Sequence, residues 1–188
     1  MTTVATSDAA KIAKSDKKEM IINSDIVRRL CAPDATQEEL QMFIYMCKKY
    51  GLNPLQKEIY FMRARGKAIT IISRQGYLTI ANRSPEFDGM ESDVIFEGDS
   101  YAHRDDGSFY IIPGPNHFNQ GPDGLRAAYC NIYRKDRSRP TCAMVFYKSA
   151  CKPTEPWRTN PEGMIIKCAE NKALEKAFAL SLEISEEE

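Results

Sequence analysis

Two apolar stretches, 125–134 and 141–148, flank a loop at 135–140 that is nearly all charged, and this arrangement commits the region to an antiparallel β-hairpin with a solvated turn. The turn carries Lys135, Arg137 and Arg139. The wider stretch 126–152 adds Arg126, Arg134, Lys148 and Lys152, giving seven basic side chains against the single acid Asp136. Tyr129, Tyr133, Phe146 and Tyr147 are interleaved with them. Cations alternating with aromatic rings suit a groove in which phosphates are neutralised while bases stack. The same pattern describes a solvated hairpin whose aromatic side chains face a core, and local composition does not choose between the two.

Equal numbers of basic and acidic residues, 26 of each, hide a polarised map. Lys57, Arg63, Arg65, Lys67, Arg74 and Arg83 stand against Glu58 alone, whereas Glu86, Asp88, Glu91, Asp93, Glu97, Asp99, Asp105 and Asp106 follow in one block. Such separation steers an anionic ligand to one surface and lets unlike faces of neighbouring copies attract. A chain of 188 residues with 43% hydrophobic content fits one domain, expected over 21–188, after a tail at 1–20 whose Thr, Ser, Ala, Asp and Lys residues offer little to bury and should be disordered. No apolar run approaches the roughly 20 residues of a membrane span, and the polar start lacks the core of a signal peptide, so a cytosolic protein is expected. Six cysteines are scattered without a C-x-x-C pair, which points to reduced thiols rather than a zinc finger. Cys130 and Cys142 are candidates for neighbours across the hairpin.

Ile21, Ile22, Ile26, Val27 and Leu30 predict a helix from near Met20 to Cys31, closed by Pro33. Thr36 and Glu39 form a capping box for a second helix, in which Leu40, Phe43, Ile44 and Cys47 share a face and Gly51 supplies the left-handed end. Residues 58–62 and 67–72 predict a hairpin turning at Arg65 and Gly66. Ser73 caps a short helix through Ala81, and 89–97 reads as a strand. The segment 98–124, rich in Gly and Pro around one short strand at 109–112, reads as a loop-rich insertion on a core sheet. Met164, Ile165, Cys168, Leu174 and Phe178 predict a final helix with Lys172 and Lys176 on its polar side. The expected fold class is α+β: antiparallel hairpins forming a small sheet packed against helices, with a long C-terminal helix beside it.

The series Tyr50-Gly-Leu-Asn-Pro54 into Lys57-Glu-Ile-Tyr60, Phe87-Asp-Gly-Met90, Ile132-Tyr-Arg-Lys-Asp-Arg137 with Pro140, Pro156-Trp157, Met164 and Ala177-Phe178 resembles, in this order, the phage Red beta (Bet)/RecT family of single-strand annealing recombinases, nearer the Red beta branch. The resemblance covers roughly 36–180. It implies an ATP-independent protein of homologous recombination and repair, with no cofactor and no catalytic residues, that coats single-stranded DNA and pairs it with a complementary strand. It also implies a homo-oligomer, ring or helical filament, that retains the annealed duplex, with DNA in a groove between the sheet and the long helix. The setting implied is the cytoplasm of a bacterial host, with the protein phage or prophage encoded. No G-x-x-x-x-G-K-[ST] phosphate loop is present, in keeping with a lack of ATP chemistry. Members of the Red beta branch continue into a small domain that engages a phage exonuclease and the host single-strand-binding protein. This chain stops at Glu188, so recruitment of that kind is not expected of it.

Lys57, Arg134, Lys135 and Arg137 coincide with the family pattern and are the leading phosphate-contact candidates. On the last helix the chain departs from it, with Glu162, Cys168 and Glu175 where the Red beta branch is basic and with Lys167, Lys172 and Lys176 nearby. Trp157 either stacks on a base or positions the final helix. Arg74 either lines the groove or covers the short helix, and Lys148, Lys152 and Arg158 extend the basic map or are plain surface charge. Two alternatives stand beside annealing. One is a passive single-strand binder that protects DNA. The other is a metal-dependent nuclease built on His117 with Asn116 and Asn119, or on a magnesium ion at Asp88, Glu91 and Asp93.

Overall fold

The computed structural model describes residues 23–180 except 65 and 120. The expected tail at 1–20, and Ile21 and Ile22 of the first helix, lie outside the described residues. Helix α1 (Ser24–Cys31) begins at Asn23, whose side-chain oxygen accepts from the Asp25 and Ile26 N–H groups at 3.0 and 3.1 Å. Helix α2 (Gln37–Tyr50) carries the full capping box: Thr36 N–H donates to Glu39 Oε2 at 2.8 Å and Glu39 N–H to Thr36 Oγ1 at 3.3 Å. Gly51 ends it at φ 63°, and Leu52 N–H returns to the Cys47 carbonyl at 2.8 Å.

Strands β1 (Ile59–Ala64) and β2 (Lys67–Ile72) pair antiparallel, with Ile59 opposite Ile72 and Ala64 opposite Lys67. Phe61 meets Phe43 of α2 edge-on at 5.9 Å and ties the ribbon to the helices. Helix α3 (Arg74–Arg83) follows at once, capped by Ser73, and runs two residues past the expected Ala81. Gly76 is required there because a Cβ would stand 2.1 Å from the Glu58 carbonyl oxygen.

The main sheet has the order β3-β6-β7, from strands β3 (Phe87–Phe96), β6 (Leu125–Arg134) and β7 (Thr141–Phe146), all antiparallel. Between β3 and β6 the chain forms a small ribbon of β4 (Ser100–His103) and β5 (Phe109–Ile112); β4 gave no clear sequence signal. Strand β7 stops at Phe146 rather than Lys148, and Tyr147–Ala150 turns instead into a short helix, α4. Another short helix, α5 (Glu155–Thr159), precedes α6 (Pro161–Phe178). Helix α6 starts three residues before the first apolar position of its pattern, because Pro161 suits the first turn and the Asn160 side chain caps Gly163 N–H at 3.0 Å.

The two faces of the central sheet are covered differently. Val94, Ala128, Cys130, Ile132 and Ala143 face Ile165, Ala169, Ala173, Leu174 and Ala177 of α6 within the main core. Alanines one turn apart let the helix lie close to the sheet, and Ile165 and Leu174, both 0% exposed, each contribute roughly 1.5–3 kcal/mol. On the opposite face Ile95, Ala127 and Tyr129 pack with Phe109, Ile111 and Met144 as a second, smaller core. The architecture is therefore α+β, with small antiparallel sheets packed against helices and a long helix at the C-terminal side. Cys130 and Cys142 are not opposite each other. Cys130 pairs with Ala143 and Cys142 with Asn131, which places the two thiols on opposite faces, and all the cysteines among the described residues are free. Burial pushes the Cys47 and Cys130 thiols up to about 12, so both remain protonated and inert.

Candidate nucleic-acid interface

The Gly-Leu-Asn-Pro segment and the Lys-Glu that follows fold into a loop locked by one carboxylate. Glu58, 7% exposed, accepts from Asn53 N–H at 2.7 Å and from the Thr79 hydroxyl at 2.7 Å, while Asn53 Oδ1 accepts from Leu55 N–H at 3.0 Å. Lys57 occupies the left-handed region at φ 60° and its side chain is exposed. Ser73 N–H donates to the Glu58 carbonyl at 2.9 Å, which ties the loop of Lys57 to the start of α3.

Arg74 reaches across to α6 and donates through Nε to Glu170, a carboxylate with only 3% side-chain exposure that also accepts from the Ser92 hydroxyl of β3 at 2.8 Å. The Glu170 hydrogen bond raises the Arg74 pKa above its ordinary value, so the guanidinium is held charged. Lys167 stands one turn before Glu170 on the same flank of α6. Arg74 and Lys167 thus share the seam between α3 and α6, and Lys57 lies on the loop whose next residue, Glu58, is bonded to the start of α3. Lys172 and Lys176 lie on the other flank of the helix, the side of Cys168, whose thiol is near Lys152.

At the β6–β7 turn the cations divide by role. Arg134 uses all three guanidinium nitrogens internally: Nε and Nη2 donate to Asp136 at 2.8 and 2.6 Å, Nη1 donates to the Ala177 carbonyl at 3.0 Å, and the group lies 5.0 Å from the Phe178 ring centroid. It closes the C-terminal end of α6, where a cation is favoured by the helix dipole. Lys135, Arg137 and Arg139 are exposed and form no ion pair among the described residues; Arg137 donates only to Thr141 Oγ1 at 3.3 Å. Lys135 N–H donates to the Glu86 carbonyl at 2.9 Å, which ties the turn to the start of β3.

Lys148 and Arg158 lie elsewhere, toward the opposite end of the sheet. Lys148 is exposed at the rim of an open cleft with Arg126, Asp123 and Tyr147, and Arg158 is paired with Glu155 on the surface. Trp157 is 5% exposed and tilts against Tyr147 at 5.9 Å, so in this conformation its ring supports the approach to α6 and presents no face to a base.

The acidic block is largely tied down. Glu91 takes a two-pronged grip from Arg104 at 2.9 Å on each oxygen and also accepts from Tyr133 at 3.1 Å; the Arg104 hydrogen bond leads in holding its carboxyl below the usual range. Asn131, 0% exposed, accepts from Phe109 N–H at 3.0 Å and donates to its carbonyl at 2.8 Å, fastening β5 to the sheet. Asp99 bonds His117 Nδ1 at 2.8 Å, Gly114 N–H at 2.8 Å and Phe96 N–H at 2.7 Å. Burial alone would push Asp99 up, but those partners together hold it below its ordinary value. Among the described residues no group of three or more His, Cys, Asp or Glu is gathered as a metal-ligand set, and no helix is long and apolar enough to cross a membrane.

Glu170, Glu58 and Asn131 carry much of this arrangement and were not singled out from sequence. For Glu170 the signal was present. It stands among Ala169, Ala173 and Leu174, and a carboxylate on an otherwise apolar helix face requires a cation to meet it.

A model of the RecT family matches residues 16–188. The chain is also 26% identical over 152 residues to the "Recombination protein bet" of Escherichia phage lambda, an alignment that covers 72% of this chain and 47% of that protein, so the chain spans about half the length of the curated relative it matches. The family match extends across the loop of Lys57, the seam of Arg74 and Glu170 and the basic β6–β7 turn alike, and this chain belongs to the RecT family.

Proposed function

We infer that this chain binds single-stranded DNA along its basic surface and promotes the pairing of complementary strands without ATP, as an annealing protein of recombination rather than an enzyme. The observation that carries this reading is the β6–β7 turn, where Lys135, Arg137 and Arg139 are exposed and form no ion pair among the described residues, on a backbone that Arg134 ties to α6. Arg74 and Lys167 supply a second site of charge at the α3–α6 seam, with Lys57 on the loop before β1, while Lys172 and Lys176 add charge on the other flank of α6 and Lys148 toward the opposite end of the sheet. Two anionic strands repel, so phosphate neutralisation is the first requirement, and base contacts must stay indifferent to sequence for any complementary pair to be tested. Pairing supplies the driving force, roughly 1.4 kcal/mol per base-pair step from stacking. The protein has to hold strands extended, concentrate them and retain the duplex.

Neighbouring copies in a ring or helical filament would continue the basic surface along the strand, and the polarised charge map favours such contacts. A phage or prophage origin and action in the bacterial cytoplasm, beside an exonuclease that supplies single strands, belong to the same reading. The test is the rate at which two complementary oligonucleotides pair without ATP, with wild type and with Lys135→Ala/Arg137→Ala, at two salt concentrations. Faster pairing that weakens with the double substitution and with salt is the expected result. Binding without acceleration would instead identify a protein that only protects single strands.

A further inference from the structure

Glu170 has an unusual division of labour. It is 2% exposed, yet one oxygen accepts from Ser92 of β3 and the other from Arg74 Nε of α3, so a single carboxylate joins three elements. Arg74 answers with Nε alone. Its Nη1 and Nη2 have no hydrogen-bond partner among the described residues, and its side chain is 41% exposed. The contrast with Arg134 is direct: there every guanidinium nitrogen is engaged and side-chain exposure falls to 14%. A guanidinium serving only to neutralise a buried carboxylate gains most from a two-pronged grip. The single-nitrogen grip leaves the outer fork, the geometry that matches a phosphate, open and fixed in place.

We propose that Glu170 is a positioning residue for DNA binding: anchored by Ser92, it holds Arg74 by Nε so that Nη1 and Nη2 face a backbone phosphate of single-stranded DNA. This rests on the reading that the chain binds single-stranded DNA. A long arginine side chain loses up to about 2 kcal/mol of rotamer freedom when a ligand must order it; here the bond from Nε to Glu170 supplies part of that ordering before DNA arrives. Ser92 has a corresponding part, because it fixes the carboxylate that fixes the cation.

Charge and position predict opposite signs for one substitution. Glu170→Gln removes a negative charge near the phosphate path, so a protein in which Glu170 matters only as charge would bind DNA more tightly. Positioning predicts weaker binding. The measurement is fluorescence anisotropy with a labelled oligo-dT over a series of salt concentrations, using the full chain at a temperature where circular dichroism shows every variant folded. Glu170→Gln should bind about fivefold more weakly, with the slope of log K against log salt shallower by about 0.7, the share of one phosphate on a single strand. Ser92→Ala, which keeps both partners, should show a smaller loss in the same direction. Arg74→Ala should lose the same slope, and adding Glu170→Gln to it should cost nothing more. Glu170→Gln binding as tightly as wild type with an unchanged slope, or adding its full loss to that of Arg74→Ala, would overturn the proposal. Wild-type binding insensitive to Arg74→Ala would sink it while leaving the basic turn as the interface, whereas no wild-type binding at all would remove both.

Discussion

The α3–α6 seam and the β6–β7 turn both present basic side chains, but they hold them in opposite ways. In the seam Arg74 is gripped by a buried carboxylate and Lys57 is set by a backbone bond between Glu58 and Ser73. At the turn Lys135, Arg137 and Arg139 project into solvent from a backbone that Arg134 secures to α6. Free cations supply affinity by releasing counterions and need no fixed geometry. Held cations add register, because their position is decided by the fold rather than by the ligand. Under the function proposed above, a surface that tracks a strand without reading its sequence would use both.

The comparison breaks most severely at Gly76. A methyl group there meets the Glu58 carbonyl at 2.1 Å and Ile72 Cγ2 at 2.8 Å, so Gly76→Ala should cost about 3 kcal/mol by overpacking and push the loop of Lys57 away from α3. A chemical-denaturation curve would measure it, and a loss under about 1 kcal/mol would mean that the junction is loose. Arg74→Ala comes next. It leaves the Glu170 carboxylate buried without its cation, and a loss of about 2 kcal/mol is expected, tempered by the partial exposure of Arg74.

Acid probes a third region, the acidic block, and it also reaches the basic turn through Asp136, whose carboxyl is held low by its hydrogen bond from Arg134. Glu91, held low first by Arg104, and Asp99, held low by its hydrogen bonds against the effect of burial, both have depressed folded values. Their stabilisation is present above the unfolded carboxylate range, about 4, and is lost as pH falls through the lower folded values. The melting temperature should therefore drop below about pH 4, and Glu91→Gln should flatten that drop. The smallest effect on stability is expected of Lys135→Ala/Arg137→Ala, within about 0.5 kcal/mol, since neither side chain is buried or ion-paired. If that variant loses stability as Arg74→Ala does, the distinction between held and free cations fails.

The elements themselves were legible where local chemistry is strong. The capping box at Thr36, the left-handed Gly51 and the Ser73 cap each mark a helix end by a bond within four residues, and those ends stand where the sequence puts them. The final helix was readable as a helix but not from its true start, because Pro161 and the Asn160 cap precede the apolar pattern. Strand β4 was not readable: Ser100–His103 becomes a strand only by pairing with Phe109–Ile112, and that ribbon is fastened by Asn131, which is 22 residues away from Phe109. For the interface, exposure and charge at 135–139 followed from composition. The internal engagement of Arg134 did not, since its partner carbonyl belongs to Ala177, 43 residues on.

The sequence by itself determined the α+β class, the helix caps, the basic turn between two strands and, through an ordered series of short motifs, membership of the RecT family. These depend on contacts within a few residues or on a pattern that persists along the chain. Only the tertiary structure decided which cations are free, which are held and that Trp157 is enclosed. The reason is physical: whether a charge is available depends on what stands within about 4 Å of it, and in Arg74 and Arg134 those neighbours come from distant parts of the chain, brought near when α6 buries its alanine face on the sheet.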